Sequence, residues 1–262
     1  LDQENNSLMC LDDNENIIGI LPLVGIRSKI FGNQLISMPH LNYGGVLSNS
    51  DEATLYLYNE ANEILDSKDY EKILIRSSSP LSEKQKNGGW AEQTHKVNMI
   101  YTLPDDIKNI GFGNAKKRAK LRSQCKLSER KAEENNASIK VLFGKSELID
   151  DFYSVFSVHM RDLGTPVLSK DFFKNQTKSE TPYEVCVVYW NGEPVAAGWL
   201  FLHSSSYVSI PWASTLYKVN KFSINIYMYH KILSRLIDKG VEKFDFGRST
   251  LGEGTYKFKE QW

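Results

Sequence analysis

The strongest constraint in this sequence is that one order of elements is written twice. In the first half, an apolar run from Leu8 to Leu11, the polar turn 12–16 and a second apolar run, Ile17 to Val24, make the pattern of a β-hairpin. A short strand is expected over Ile36–Pro39, and Tyr43-Gly44-Gly45 closes a turn. From Ser50 to Ser67, Leu55, Tyr58, Ala61 and Leu65 recur at helical spacing, with Asn49 or Ser50 placed to cap the helix. Lys72–Arg76 then reads as a buried strand. The second half repeats this order. Val185–Tyr189 and Val195–Leu202 flank the turn 190–193, and Tyr207–Pro211 is a third strand. Ser223 is placed to cap a helix that buries Ile224, Met228, Ile232 and Leu236, Gly240 ends it, and Lys243–Arg248 is the closing strand. Each returning hairpin strand carries a glycine, Gly19 or Gly198. Order and spacing both agree, which favours duplication over chance.

A chain of 262 residues is longer than one core comfortably serves, which agrees with two domains. Lysine plus arginine equals aspartate plus glutamate at 32 each, so no overall field draws the chain to DNA, and any anion must be met by a local patch. Such a patch exists between the copies. The stretch from Lys116 to Lys131 holds eight basic residues against the single acid Glu129, within a helix expected over Asn114–Asn136. It could grip nucleotide or RNA phosphates or be a solvated face, and it has no interleaved aromatics for base stacking. A second helix is expected over Ser146–Leu163, stopped by Gly164-Thr165-Pro166. Strands and helices in this order imply an α/β fold with mixed sheets and helices on both faces. Cys10, Cys125 and Cys186 lie far apart in sequence, the pattern of reduced thiols in a cytoplasmic protein rather than a disulfide framework. No transmembrane run and no leader pattern is present, and Leu1 in place of a starting methionine implies further residues at the ends.

The usual motifs of serine hydrolases, P-loops and zinc enzymes are missing, and His40, His95, His159, His203 and His230 show no ligand spacing, so no metal is expected. Chemistry concentrates in Trp212–Trp262. The helix start near Ser223 offers free N–H groups to an anion, with Asn225 in its first turn as a cap or a ligand contact. Asp245 lies between two phenylalanines and needs a partner if buried; Arg248 follows on the same strand. A structural ion pair would explain Asp245 equally well. Tyr256-Lys257-Phe258-Lys259 can form a helical turn that puts Tyr256 and Lys259 on one face. A fixed ammonium there could stabilise an oxyanion.

Four blocks, Leu21–Gly45, Lys117–Asn136, His159–Pro166 and Asp245–Trp262, resemble the FemAB family of aminoacyl and peptidyl transferases, most nearly its members from exosortase and exopolysaccharide systems. The resemblance implies two tandem GNAT-like domains, over 1–113 and 137–262, joined by a basic connecting helix over 114–136, the second domain shortened at its C-terminal end. It implies transfer of an acyl or aminoacyl group onto an amine of a cell-envelope precursor of peptidoglycan or exopolysaccharide. Phe258 and Lys259 match the family's Phe-Lys pair at the reacting carbonyl, and Arg161-Asp162 its Arg-Asp pair. Lys29 falls where the family places a cation for precursor phosphates, and Tyr43 of the same block is expected to bind substrate. In this scheme Lys259, Asp162, Asp245 and Tyr256 are catalytic; Phe258, Arg248, Arg161, Asn225, Lys29 and Tyr43 bind substrate. No cofactor is expected to be tightly bound. The donor stays open between aminoacyl-tRNA and acyl-CoA, because neither a coiled-coil arm nor the Q/R-x-x-G-x-G/A cradle for coenzyme A is present, with Asn220-Lys221-Phe222-Ser223 in the cradle's place. Partners would be the precursor and, with an RNA donor, tRNA; peripheral membrane contact is compatible with this. The alternatives are an acyl-CoA-dependent acyltransferase acting on a sugar, and a non-catalytic module that binds an envelope precursor.

Overall fold

A computed structural model describes residues 2–29 and 32–262, which divide into two compact units, Leu1–His95 and Lys96–Trp262. The first unit runs β1 (Asp2–Asn5), β2 (Leu8–Leu11), β3 (Ile17–Leu21), β4 (Val24–Ser28), β5 (Gly32–Ile36), β6 (Leu47–Ser48), α1 (Asp51–Ser67), β7 (Lys72–Leu74) and α2 (Glu83–Asn87). Its strands form two sheets, in the orders β1-β4-β5-β7 and β2-β3-β6. The expected single strand Ile17–Val24 breaks into β3 and β4 around Pro22, which has no N–H to give to a ladder. The short strand expected at Ile36–Pro39 lies earlier, as β5. Ser50 caps α1 by accepting the Ala53 N–H at 3.1 Å.

The second unit runs β8 (Lys96–Thr102), α3 (Ala115–Cys125), α4 (Leu127–Glu134), β9 (Ile139–Gly144), α5 (Ile149–Asp162), α6 (Lys170–Gln176), β10 (Tyr183–Trp190), β11 (Glu193–Leu202), β12 (Tyr207–Thr215), α7 (Ile224–Asp238), β13 (Lys243–Thr250) and α8 (Gly254–Glu260). One six-stranded sheet orders them β8-β13-β12-β11-β10-β9. On one face, Phe152 of α5 and Phe173 of α6 pack against Trp199 and Trp212. On the other, α7 buries Ile224, Met228, Ile232 and Leu236, the four residues its spacing selects, in a core with Phe244 and Phe246.

The two units share a plan. In each, a helix crosses between two parallel strands: α1 between β5 and β7, α7 between β12 and β13. In each, the hairpin glycine sits where a side chain would crowd a neighbour. A β-carbon on Gly19 would lie 3.0 Å from Leu57 of α1, and one on Gly198 would lie 2.9 Å from Ile210 of β12. The four-stranded and six-stranded sheets are mixed, and helices flank them, as the repeated order implies; the small β2-β3-β6 sheet is antiparallel.

The division between units falls earlier than residue 113. β8 pairs antiparallel with β13 from Lys96↔Thr250 to Thr102↔Lys243, which ties residues 96–102 to the second sheet. The basic stretch is not a connecting helix either. It breaks at Lys126 into α3 and α4, and Leu121, Cys125 and Ala132 anchor it inside the second unit.

Candidate functional site

The only parallel pair in the second sheet, β12 with β13, is short. Its register covers Tyr207↔Lys243, Val208↔Phe244 and Ser209↔Asp245, and there it stops. Beyond that point β12 stays with β11 as far as Thr215, and β13 stays with β8 as far as Thr250. The two strands therefore part, and a wedge opens at their C-terminal ends, where open α/β sheets bind ligands. β13 helps by bulging between Asp245 and Arg248, with Gly247 at φ 75°. That left-handed backbone suits glycine.

Lys259 of α8 points to this place. Its Nζ donates to the Arg248 carbonyl at 3.0 Å and to the Gly247 carbonyl at 3.3 Å. Burial pushes its ammonium from the ordinary 10.5 down to about 8, against the opposing pull of Asp245. Asp245 itself is fully buried. Its Oδ2 accepts the Tyr207 hydroxyl at 2.9 Å and its Oδ1 the Gly247 N–H at 2.7 Å, so the carboxylate is fixed across the foot of the wedge. Phe258 packs on Tyr229 and Trp262, with ring centroids 5.1 and 6.3 Å away, which seats α8 on the core. The structure thus brings Lys259, Asp245, Phe258 and the Arg248 main chain together.

Other expected residues fall elsewhere. The Tyr256 hydroxyl donates to Glu260 at 3.3 Å instead of sharing Lys259's surroundings. Arg161 and Asp162 form their own ion pair at 3.2 Å at the end of α5. Asn225 accepts the Thr215 hydroxyl at 3.3 Å, a link between α7 and β12. Ser223 makes no side-chain cap. It takes the left-handed conformation at φ 57°, as the last residue after a 3-10 turn over Tyr217–Phe222. That turn is held by Ser128, whose hydroxyl donates to the Phe222 carbonyl at 2.6 Å, and by Phe222 stacking on Trp190 at 4.5 Å. The place of a glycine-rich phosphate loop is therefore taken by a turn without glycine, anchored by Val219 and Phe222, with Lys218 and Lys221 exposed.

In the first unit, Lys29 is exposed. Tyr43 lines a cleft of about 980 Å3. Arg76, the hydroxyls of Ser48, Ser50, Ser77 and Ser79, and the ring of Tyr58 line the same cleft. Sequence reasoning missed Tyr207 and the serine run; Tyr207 was legible only through its parallel register beside Asp245, which no local spacing reveals. Among the described residues, no helix is long and apolar enough to cross a membrane.

A family model described as an acetyltransferase (GNAT) domain matches residues 119–260, more than half of the sequence, and the chain belongs to that family. The match makes it a transferase of the acyl-transferring GNAT kind. Solved structures add the fold. FemX is 12% identical, with a TM-score of 0.61 over 99% of this chain and 85% of its own. A tandem GNAT protein from the clavulanic acid biosynthesis pathway is 7% identical, with a TM-score of 0.58 over 98% and 77%. The C-terminal domain of a putative lysylphosphatidylglycerol synthetase from Agrobacterium fabrum is 12% identical, with a TM-score of 0.55 over 94% and 71%. The fold is thus the FemAB-like tandem GNAT fold. No curated protein matches the sequence.

Proposed function

We propose that the protein forms an amide by moving an acyl or aminoacyl group from an ester or thioester onto an amine of a cell-envelope precursor. The observation that carries this reading is the half-buried Lys259 ammonium held at the parting of β12 and β13. The amine nitrogen attacks the donor carbonyl carbon, a tetrahedral oxyanion forms beside Lys259, and the C–O or C–S bond then breaks. Preorganised charge at the developing oxyanion is worth about 3–4 kcal/mol of barrier. Asp245, closed in by Tyr207 and Gly247, serves as a positioning residue that sustains the ammonium's charge. The amine's proton passes to the departing oxygen or sulfur, so that the carrier leaves as a neutral alcohol or thiol. Phe258 keeps α8, and so Lys259, in register with β13. Mass spectrometry of envelope precursors from cells with and without the protein tests this: a mass difference equal to an acyl or aminoacyl group is expected, and identical precursor masses would refute it.

One observation favours a second reading, acyl-CoA-dependent acylation of a sugar. The first-unit cleft is lined by serine hydroxyls and two tyrosine rings, a surface suited to a saccharide. Calorimetry with acetyl-CoA and with aminoacyl-tRNA separates the readings, because only the true donor binds tightly.

A further inference from the structure

The chemistry above makes no use of α3, yet α3 is built at a cost. Lys116, Lys117, Arg118, Lys120 and Arg122 sit in its eleven residues with no acid, and residues 112–120 are all exposed. The ion pairs of this stretch belong to α4, whose Arg130 and Lys131 meet Glu134 and whose Glu129 meets Lys231. Among the described residues, none of the five α3 cations forms one. Lys116 with Lys120, and Arg118 with Arg122, are like charges one turn apart, which disfavours the helix. The charges also crowd toward the N-terminal end, where the helix dipole is already positive. An anion at this face would relieve that repulsion.

A groove of about 300 Å3 runs between α3 and α8, with Lys117 and Lys120 on one side and Lys257 on the other, and the amides of Gln124 and Gln261 within. Phe112 stands at this groove, 67% exposed. It is displayed by a turn in which Gly111 and Gly113 both have positive φ, 103° and 89°. Its N–H donates to the Gln261 carbonyl at 3.0 Å, which fixes the turn to the end of α8. A β-carbon on Gly113 would lie 3.0 Å from Cδ of Lys117, so glycine lets the lysine stem lie along the turn. Glu260, which also lines the groove and accepts the Tyr256 hydroxyl, leaves the phosphate positions to the lysines and can accept from a ring amine or a ribose hydroxyl.

We propose that this groove seats a nucleotide, with its phosphates on Lys117, Lys120 and Lys257 and its ring on Phe112. The volume is at the lower end of small-ligand sites and suits one nucleotide unit. The turn before α7 carries no glycine, so it is not a glycine-rich phosphate loop. That the nucleotide belongs to the donor's carrier rests on the transfer reading; the binding itself does not.

The test is calorimetric titration of the full chain with adenosine 3′,5′-bisphosphate, alongside a single-stranded RNA tetranucleotide, inorganic phosphate and phosphatidylglycerol vesicles. Expected is binding of a nucleotide probe that weakens as salt rises. Whichever nucleotide probe binds more tightly names the carrier. The Lys117→Gln/Lys120→Gln double variant and Phe112→Ser each weaken it, the latter by about tenfold, while Lys174→Gln on α6 leaves it unchanged. Lys259→Met keeps nucleotide affinity while losing transfer, so the groove and the transfer chemistry fail separately. Variants that bind as tightly as wild type, phosphate binding as tightly as the nucleotides, affinity for vesicles alone, or no binding at all would each overturn the proposal.

Discussion

Replacing Lys259 by methionine exposes a conflict between stability and function that can be measured as a function of pH. The ammonium is held by the Gly247 and Arg248 carbonyls but is displaced from 10.5 to about 8 because burial strips its water. For a lysine lowered on folding, the unfolded chain binds more protons between those two values. Stability therefore rises with pH across that window, and the penalty is fully present below about 8. The whole displacement corresponds to roughly 3 kcal/mol, and about 2 kcal/mol of it is relieved between roughly pH 7 and 9.5. Methionine has no charge to desolvate, so its variant lacks this slope. The lost carbonyl hydrogen bonds offset part of any gain at a single pH, but they do not vary with pH as the ammonium does. Urea unfolding of wild type and Lys259→Met at both pH values gives the comparison. The wild type should gain about 2 kcal/mol on the variant as pH rises. Equal slopes would mean that the ammonium is fully hydrated, and the site argument would lose its electrostatic basis.

Further expectations concern the same unit and its neighbour. Asp245→Asn removes the charge that opposes burial of Lys259 and moves the basic limb of the transfer pH profile below about 8, provided circular dichroism shows an intact fold. Glu184 on β10 bonds Arg235 at 2.7 and 3.0 Å and Lys239 at 3.3 Å from α7. Burial raises its pKa, but these cations more than reverse that and hold it below the ordinary 4.5. Arg235→Ala should cost about 3 kcal/mol in urea unfolding at neutral pH. Because the folded pKa is depressed, the advantage of wild type over Glu184→Gln is present above 4.5 and shrinks as pH falls below it. In the first unit, a β-carbon on Gly25 would lie 2.0 Å from the buried Tyr70 hydroxyl, so Gly25→Ala should destabilise by about 1–3 kcal/mol on thermal unfolding.

The parts of the fold legible in sequence were those set by local period. The α7 stripe, the two hairpins and the Gly164 and Gly240 stops follow from side-chain spacing and from backbone that only glycine adopts cheaply. What escaped depended on partners far away in sequence. Residues 96–102 look like the end of the first half, and only pairing with β13 assigns them to the second unit. The basic stretch reads as one helix because Leu121, Cys125 and Ala132 keep helical spacing, which hides the break at Lys126. At the site, Lys259 was found by resemblance and Asp245 by its apolar neighbours. The Tyr207 hydroxyl that closes over Asp245, and the main-chain oxygens that hold Lys259, follow from the bulge and the short parallel register. Ser223 shows the limit of cap rules: a serine before an apolar run is a capping signal, yet the preceding 3-10 turn forces it into a left-handed conformation with no cap bond.

The most direct test of the account is the turnover of Lys259→Met, read by mass spectrometry as the amount of modified precursor formed by the folded variant. Removing the charge that meets the oxyanion should lower kcat by about 10²–10³-fold. Turnover equal to wild type would contradict the central claim.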